Sequence, residues 1–275
     1  MAAPVPMFSP GASVAQAIDW LNIHAHGLFA AIGGAVEAVI GGAEDALLLP
    51  APWLMLAVVV ALAAYGYGLR YGALAAASLG LCLAAGMWKE AMQTIALVSV
   101  SVTVSILVAF PLGLWAARRS RVEAVLRPVL DIMQTVPPWV YLIPAVMIFS
   151  LGKVPALIAT VVYGIPPMLR ITTLAFKEVP HELIELGRAS GASFWQILGK
   201  LEIPAARKTL LVGLNQTILL SLAMVVLAGL VGAGGLGAEV TRGLTRMEMG
   251  LGLRAGLSIV AVAILLDRFS RRVFG

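Results

Sequence analysis

Long, uninterrupted apolar runs dominate this 275-residue chain. A run of about 20 such residues either crosses a bilayer or needs an unusually large core to cover it. Sixty per cent of the residues are apolar and 12% are charged, against about a quarter charged in soluble domains. That balance excludes a water-soluble globule, and it is too apolar for intrinsic disorder. The single cysteine, Cys82, excludes a disulfide framework and a four-Cys zinc site. Its apolar surroundings predict that it packs as a small apolar side chain. The first 18 residues carry no Lys or Arg, so no positively charged signal region opens the chain.

Seven runs qualify as candidate spans: Pro52–Leu69, Tyr71–Trp88, Met92–Ala117, Val136–Leu151, Val154–Leu169, Thr209–Val231 and Leu251–Leu266. The expected fold is an all-α polytopic membrane protein. The fourth run holds Pro137, Pro138 and Pro144, and the fifth holds Pro155, Pro166 and Pro167. Each internal proline removes a backbone donor, so both are expected to be short and kinked.

Basic residues in the connecting loops set orientation, because they favour the cytoplasmic side. With the N-terminus outside, fourteen of the 19 Lys and Arg residues fall in the cytoplasm, among them Arg70, Arg118, Arg119, Arg170, Lys177 and Arg271. The bias predicts N-out, C-in. Residues 1–51 hold Asp19, Glu37, Glu44 and Asp45 and no basic residue, consistent with an external segment. Within it Ile18, Leu21, Leu28, Ile32, Val36, Val39 and Ile40 recur at roughly helical spacing, which predicts one or two interfacial helices.

Within the seven runs no Asp or Glu occurs, and Arg254, near one end, is the one charge. Ion-coupled carriers usually keep an acidic relay in the membrane. Its absence argues against a carrier and against membrane catalysis by paired carboxylates or a metal centre. His24, His26 and His181 have no partners at zinc-site spacing and read as surface histidines. A literal G-x-G-x-x-G stands at Gly232, Gly234 and Gly237, but no βαβ unit surrounds it. It reads as tight turns and close backbone approach at the outer end of the sixth run.

The most informative stretch is residues 177–208, between the fifth and sixth runs. Pro180 suits a first helical turn, and Glu182 and Glu185 complement the positive end of the helix dipole. Gly191 is expected to stop this helix. Ser193 caps a second one, with Gln196 at capping-box spacing. Phe194, Ile197, Leu198 and Leu201 make its apolar face, and Ile203-Pro204 is expected to end it. The outline suggests a DNA-reading helix-turn-helix, but tethering at both ends and a second helix offering only Gln196 and Lys200 argue against that. Two readings remain: a loop lying on the membrane surface, or a docking element for a soluble partner.

Glu185-Leu186-Gly187-Arg188-Ala189-Ser190-Gly191 followed by Leu201-Glu202-Ile203-Pro204 resembles the EAA loop of ABC importer permeases. Glu185, Gly191 and Pro204 match at their spacing, while Leu186 and Gly187 replace the two alanines. Asp131–Pro137, Val140–Pro144, Gly213–Thr217 and Gly232–Gly237 resemble the glycine betaine/proline and choline importer permeases, and Ile18-Asp19-Trp20 is similar to their outer segment.

The resemblance implies a type I ABC importer fold in a bacterial inner membrane. It divides the chain into an external segment at 1–51, two peripheral helices at 52–88 and a core at 89–272. It implies that the chain is no enzyme and binds no cofactor. ATP and Mg are used by a separate ATP-binding subunit, present in two copies. An external binding protein delivers the solute to a permease paired with a second copy, without nucleic acid. Glu182, Glu185, Gly191, Ala192, Ser193 and Pro204 then belong to the ATPase-coupling loop, with Glu185 either fixing loop geometry, meeting the ATPase, or only capping its own helix. A quaternary ammonium solute is drawn to aromatic faces, so Trp139, Tyr141 and Tyr163 are candidates for the path, with Phe149 beside them, unless they simply pack. Gln134, Thr135, Asn215 and Gln216 either face the pathway or bond across helices. The alternative is a stand-alone channel or ion-coupled carrier.

Overall fold

A computed structural model describes residues 10–273, and every regular element among them is helical. In chain order these are α1 (Pro10–His24), α2 (His26–Leu48), α3 (Pro52–Tyr67), α4 (Leu69–Ala84), α5 (Trp88–Arg118), α6 (Ser120–Thr135), α7 (Leu142–Phe149), α8 (Lys153–Lys177), α9 (His181–Ala189), α10 (Phe194–Ile197), α11 (Ile203–Ala228), α12 (Gly235–Thr245) and α13 (Met249–Val273).

The seven expected runs form helices of unequal length. Five helical stretches are long and apolar enough to cross a membrane: His26–Leu48, Trp88–Arg118, Lys153–Lys177, Phe194–Val231 and Met249–Arg272. The first two expected runs become α3 and α4, a tight hairpin of 16-residue helices turning at Gly68, whose φ of 101° suits glycine. At 1.5 Å per residue each is about 24 Å long, less than the usual hydrocarbon thickness. The fourth run is half of a bent pair: α6 meets the 138–149 segment at 106°, with Pro137 and Pro138 at the bend. The pair raises the span count to six if taken as one.

The fifth run did not shorten at its prolines. α8 continues for 25 residues through Pro166 and Pro167. Neighbouring hydroxyls donate into that stretch, Ser105 Oγ to the Val161 carbonyl and Thr217 Oγ1 to the Gly164 carbonyl, both at 3.4 Å. Helices α5, α8 and α11 form the centre of the molecule, with the α5–α8 and α8–α11 interfaces the most extensive. Small residues let them approach. A Cβ on Gly164 would stand 2.9 Å from Ser105 Oγ, and one on Gly113 would stand 2.7 Å from Thr172 Cβ. Cys82 is buried between α4 and α13, as its surroundings predicted.

The two ends of the bundle are chemically distinct. At one end Tyr67 and Tyr71 meet Phe269 edge to face, Asn215 Oδ1 accepts from Ser270 Oγ, and Lys177 pairs with Glu123. Arg70, Arg118, Lys177 and Arg268 gather here, so this is the basic end. At the opposite end the Gly152 N–H donates to the Val231 carbonyl, and Arg254 reaches the Ala85 carbonyl. Helices α1 and α2 form where helical spacing was noted. They attach at this opposite end, through Asn22 to the Met147 carbonyl, Phe29 edge-on to Phe149, and a 2.6 Å pair between buried Glu44 and Lys153.

Candidate functional site

The segment between α8 and α11 lies at the basic end. Helix α9 begins at His181, one residue later than expected, with Pro180 at its N-cap. Its end is a Schellman motif. Gly191, at φ 74°, donates to the Arg188 carbonyl at 2.9 Å, and Ala192 donates to the Gly187 carbonyl at 3.0 Å. Ser193 then starts α10 with the capping box its spacing predicted. Its N–H donates to Gln196 Oε1 at 2.8 Å, and the Gln196 N–H donates back to Ser193 Oγ at 3.4 Å.

Pro204 does not end this second helix. Residues Leu198–Glu202 make a π-helical turn, and α11 starts at Ile203 with the proline in its first turn. The N–H that Pro204 lacks falls where the ladder changes from π to α spacing, with the Ile203 N–H still bonded to the Leu198 carbonyl. The wide turn therefore joins the loop to the span as one continuous 38-residue helical run, Phe194–Val231.

Gly187 stands where the EAA pattern has its second alanine, and it lies close against the side chains of Ile197 and Leu201. A Cβ there would lie 2.8 Å from Leu201 Cδ1 and 3.0 Å from Ile197 Cγ1. Helix α9 is thus seated directly on the π turn. Glu182 and Glu185 both point outward. Glu185 is 66% exposed and meets His181 Nδ1, one turn earlier on the same helix, at 3.1 Å. Ile197 and Leu198 are buried as predicted, but Phe194 is half-exposed, beside Trp195 at 75% exposure. Leu186 on α9 is exposed as well. Trp195 was not singled out from sequence, although an aromatic beside a cap is a familiar anchor type.

A second feature missed in the sequence lies beneath. Glu202 is 1% exposed, and its carboxylate is paired with Arg118, the last residue of α5. The Arg118 guanidinium lies 5.6 Å from the centroid of the Phe194 ring. A buried carboxylate is tolerable only with such a partner, and removing one member of a buried pair costs about 3 kcal/mol or more.

The candidate path residues do not form one group. Tyr141 and Tyr163 pack with Leu142, Ala159 and Met224, and Tyr141 Oη donates to the Met133 carbonyl at 2.8 Å. Trp139 is exposed on the same bend and lines an apolar groove of about 580 Å³ with Ile143, Met147 and Leu230. Gln134 and Thr135 are exposed at the end of α6, with Thr135 Oγ1 donating to the Ile132 carbonyl. Asn215 is buried against α13 through Ser270, a bond across helices, and Gln216 is exposed on α11. Closer to the basic end a cavity of about 460 Å³ opens between α6 and α8, bordered by the pairs Asp131–Arg170 and Glu123–Lys177, each at 2.5 Å. The glycines at 232–237 do make turns and close approach: the Gly235 N–H donates to Gln93 Oε1 and the Leu236 N–H to Thr94 Oγ1, seating α12 on α5.

A bundle of apolar helices with a capped, solvent-facing segment at one end defines a multi-pass membrane protein. Residues 109–273 match the family described as binding-protein-dependent transport system inner membrane component, and the chain belongs to that family. It is 41% identical over 262 residues to the glycine betaine/proline betaine transport system permease protein ProW of Escherichia coli, covering 94% of this chain and 73% of that one. It is 40% identical to the glycine betaine transport system permease protein OpuAB of Bacillus subtilis, covering 93% and 91%. The fold is that of the type I importer permease in an inward-facing structure of the MetNI methionine ABC transporter, with a TM-score of 0.59 at 22% identity over 68% of this chain and 94% of the other. Membership decides for the permease reading over a stand-alone channel or carrier, and makes the chain a non-catalytic inner-membrane component.

Proposed function

We propose that this chain is the translocating subunit of an ATP-driven importer for a small quaternary ammonium solute of the glycine betaine type, handed over by an external binding protein. Two copies pair, each held by one ATP-binding subunit that uses ATP and Mg. The α9–α10 segment is the lever those subunits move. The observation that carries this reading is the segment's build: Leu186, Phe194 and Trp195 stand exposed on two helices locked by the Gly191 and Ser193 caps. Exposed apolar anchors on a stiff support suit a protein partner, since a flexible loop would dissipate the motion it received.

The basic end then faces the cytoplasm and α1–α2 face outward, giving N-out, C-in. The hairpin of α3 and α4 is peripheral to a transport core running from α5 to α13. Glu185, exposed beside Glu182, meets the ATP-binding subunit. Trp139 and Tyr141, at the bend between α6 and α7, and Tyr163 of α8, packed in the same cluster as Tyr141, are the aromatic faces offered to the cation. Gln134 and Thr135 supply polar edges at the end of α6, Gln216 stands exposed on α11, and Asn215 serves helix packing.

In complexes reconstituted with the ATP-binding subunit and binding protein, Gly191→Leu and Glu185→Lys are each expected to lower solute-stimulated ATP hydrolysis about tenfold, a usual scale for coupling. Gly191→Leu does so because a branched side chain at φ 74° strains the turn. An unchanged stimulated rate in both variants removes the coupling role.

A further inference from the structure

The covalent route from the α9–α10 lever into the membrane leads through the π turn into α11. The structure offers a second route, which needs no peptide bond. Glu202 closes the π turn, is buried, and is paired with Arg118 at the last turn of α5. Phe194, the first residue of α10, covers the same guanidinium. Arg118 thus touches both ends of the lever's second half, residues 194 and 202. A cation at the C-terminus of α5 is further favoured by the helix dipole.

What α5 does with a displacement is also set by its packing. Just above Arg118, Gly113 lies against Thr172, and Thr173 Oγ1 donates to the Gly113 carbonyl at 3.2 Å. With a Cβ at Gly113 only 2.7 Å from Thr172 Cβ, that contact has no slack. Motion received by Arg118 is therefore shared with α8, which lines the charged cavity and carries Tyr163.

We propose that Arg118 and Glu202, with Phe194 over them, are positioning residues that clamp the lever to α5, so that one stroke moves α5 and α8 together with α11. The inference rests on the permease reading above and adds the residues by which that reading works. Without the clamp the lever still moves α11 through the backbone, so the chain is expected to assemble while its strokes lose yield.

The test uses the complete complex in proteoliposomes, with ATP inside or outside as its orientation requires, and radiolabelled glycine betaine as the probe. Solute accumulated per ATP hydrolysed is measured for wild type, Glu202→Gln, Arg118→Lys and Phe194→Leu, with the unfolding midpoint and the amount of assembled complex recorded alongside. The ratio is expected to fall about tenfold in Glu202→Gln, with Arg118→Lys retaining most of it because a cation remains, and Phe194→Leu intermediate. An unchanged ratio in Glu202→Gln overturns the clamp. So does a loss explained wholly by fewer assembled complexes, with a normal ratio in those that remain, since that marks a brace for folding alone. A wild-type complex that shows no ATP-driven uptake fails the permease reading itself, which separates the two.

Discussion

Glycines carry several of the closest contacts in this molecule, and they differ in what surrounds them. A Cβ on Gly237 would sit 2.7 Å from the carbonyl oxygens of Val225 and Val226, which are backbone and cannot swing away. A Cβ on Gly199, in the π turn, would meet nothing within 4 Å. Gly237→Ala is therefore expected to cost about 2 kcal/mol or more by overpacking, and Gly199→Ala to stay within about 0.5 kcal/mol. Thermal unfolding of the detergent-solubilised protein, run side by side, checks the contrast. Close approach at Gly237 was legible from the glycine cluster at 232–237. Gly187 was not, because a glycine inside an amphipathic helix reads only as a weak point until Ile197 and Leu201 are seen against it. The same holds for Glu202: a carboxylate in a polar loop looks solvated, and its partner Arg118 is 84 residues away.

At the scale of elements, local chemistry was readable and tertiary continuity was not. The Schellman turn at Gly191 and the capping box at Ser193 follow from backbone donors that must be satisfied within a few residues. Pro204 was misread as a stop for the same local reason. A proline ends a helix it interrupts, yet it starts one well, and nothing within a few residues says that a π turn will carry the chain onward. The bend at Pro137 and Pro138 likewise depends on what α6 and α7 each rest against, and α8 runs on through Pro166 and Pro167 where it is packed between α5 and α11. The cap at Ser193 has a measurable consequence. Ser193→Ala removes the oxygen that accepts from the Gln196 N–H and is expected to cost about 1 kcal/mol locally. Amide exchange at residues 196–198 is then expected to quicken about fivefold while α5 and α8 keep their protection. Equal rates in both proteins would mean that the cap does not stiffen the lever.

For the whole molecule, charge and hydropathy settled the class early. Few charges, long apolar runs and a basic bias on one set of loops leave little except a polytopic bundle, and the structure gathers Arg70, Arg118, Lys177 and Arg268 at a single end. The number of spans was less readable, because α2 is as apolar as a span while α3 and α4 are shorter than one. The path was the least readable part. Aromatic and amide residues near spans have the same composition whether they pack, as Asn215 does against Ser270, or stand exposed, as Trp139 does.

The central claim is that this bundle is moved by a motor it does not contain, acting on the α9–α10 lever. Uptake of glycine betaine into proteoliposomes tests it most directly, comparing the permease alone with the permease plus ATP-binding subunit, binding protein and ATP. Accumulation above the external concentration is predicted only in the complete system, and its loss on omitting ATP. Accumulation against the gradient by the permease alone would contradict the account.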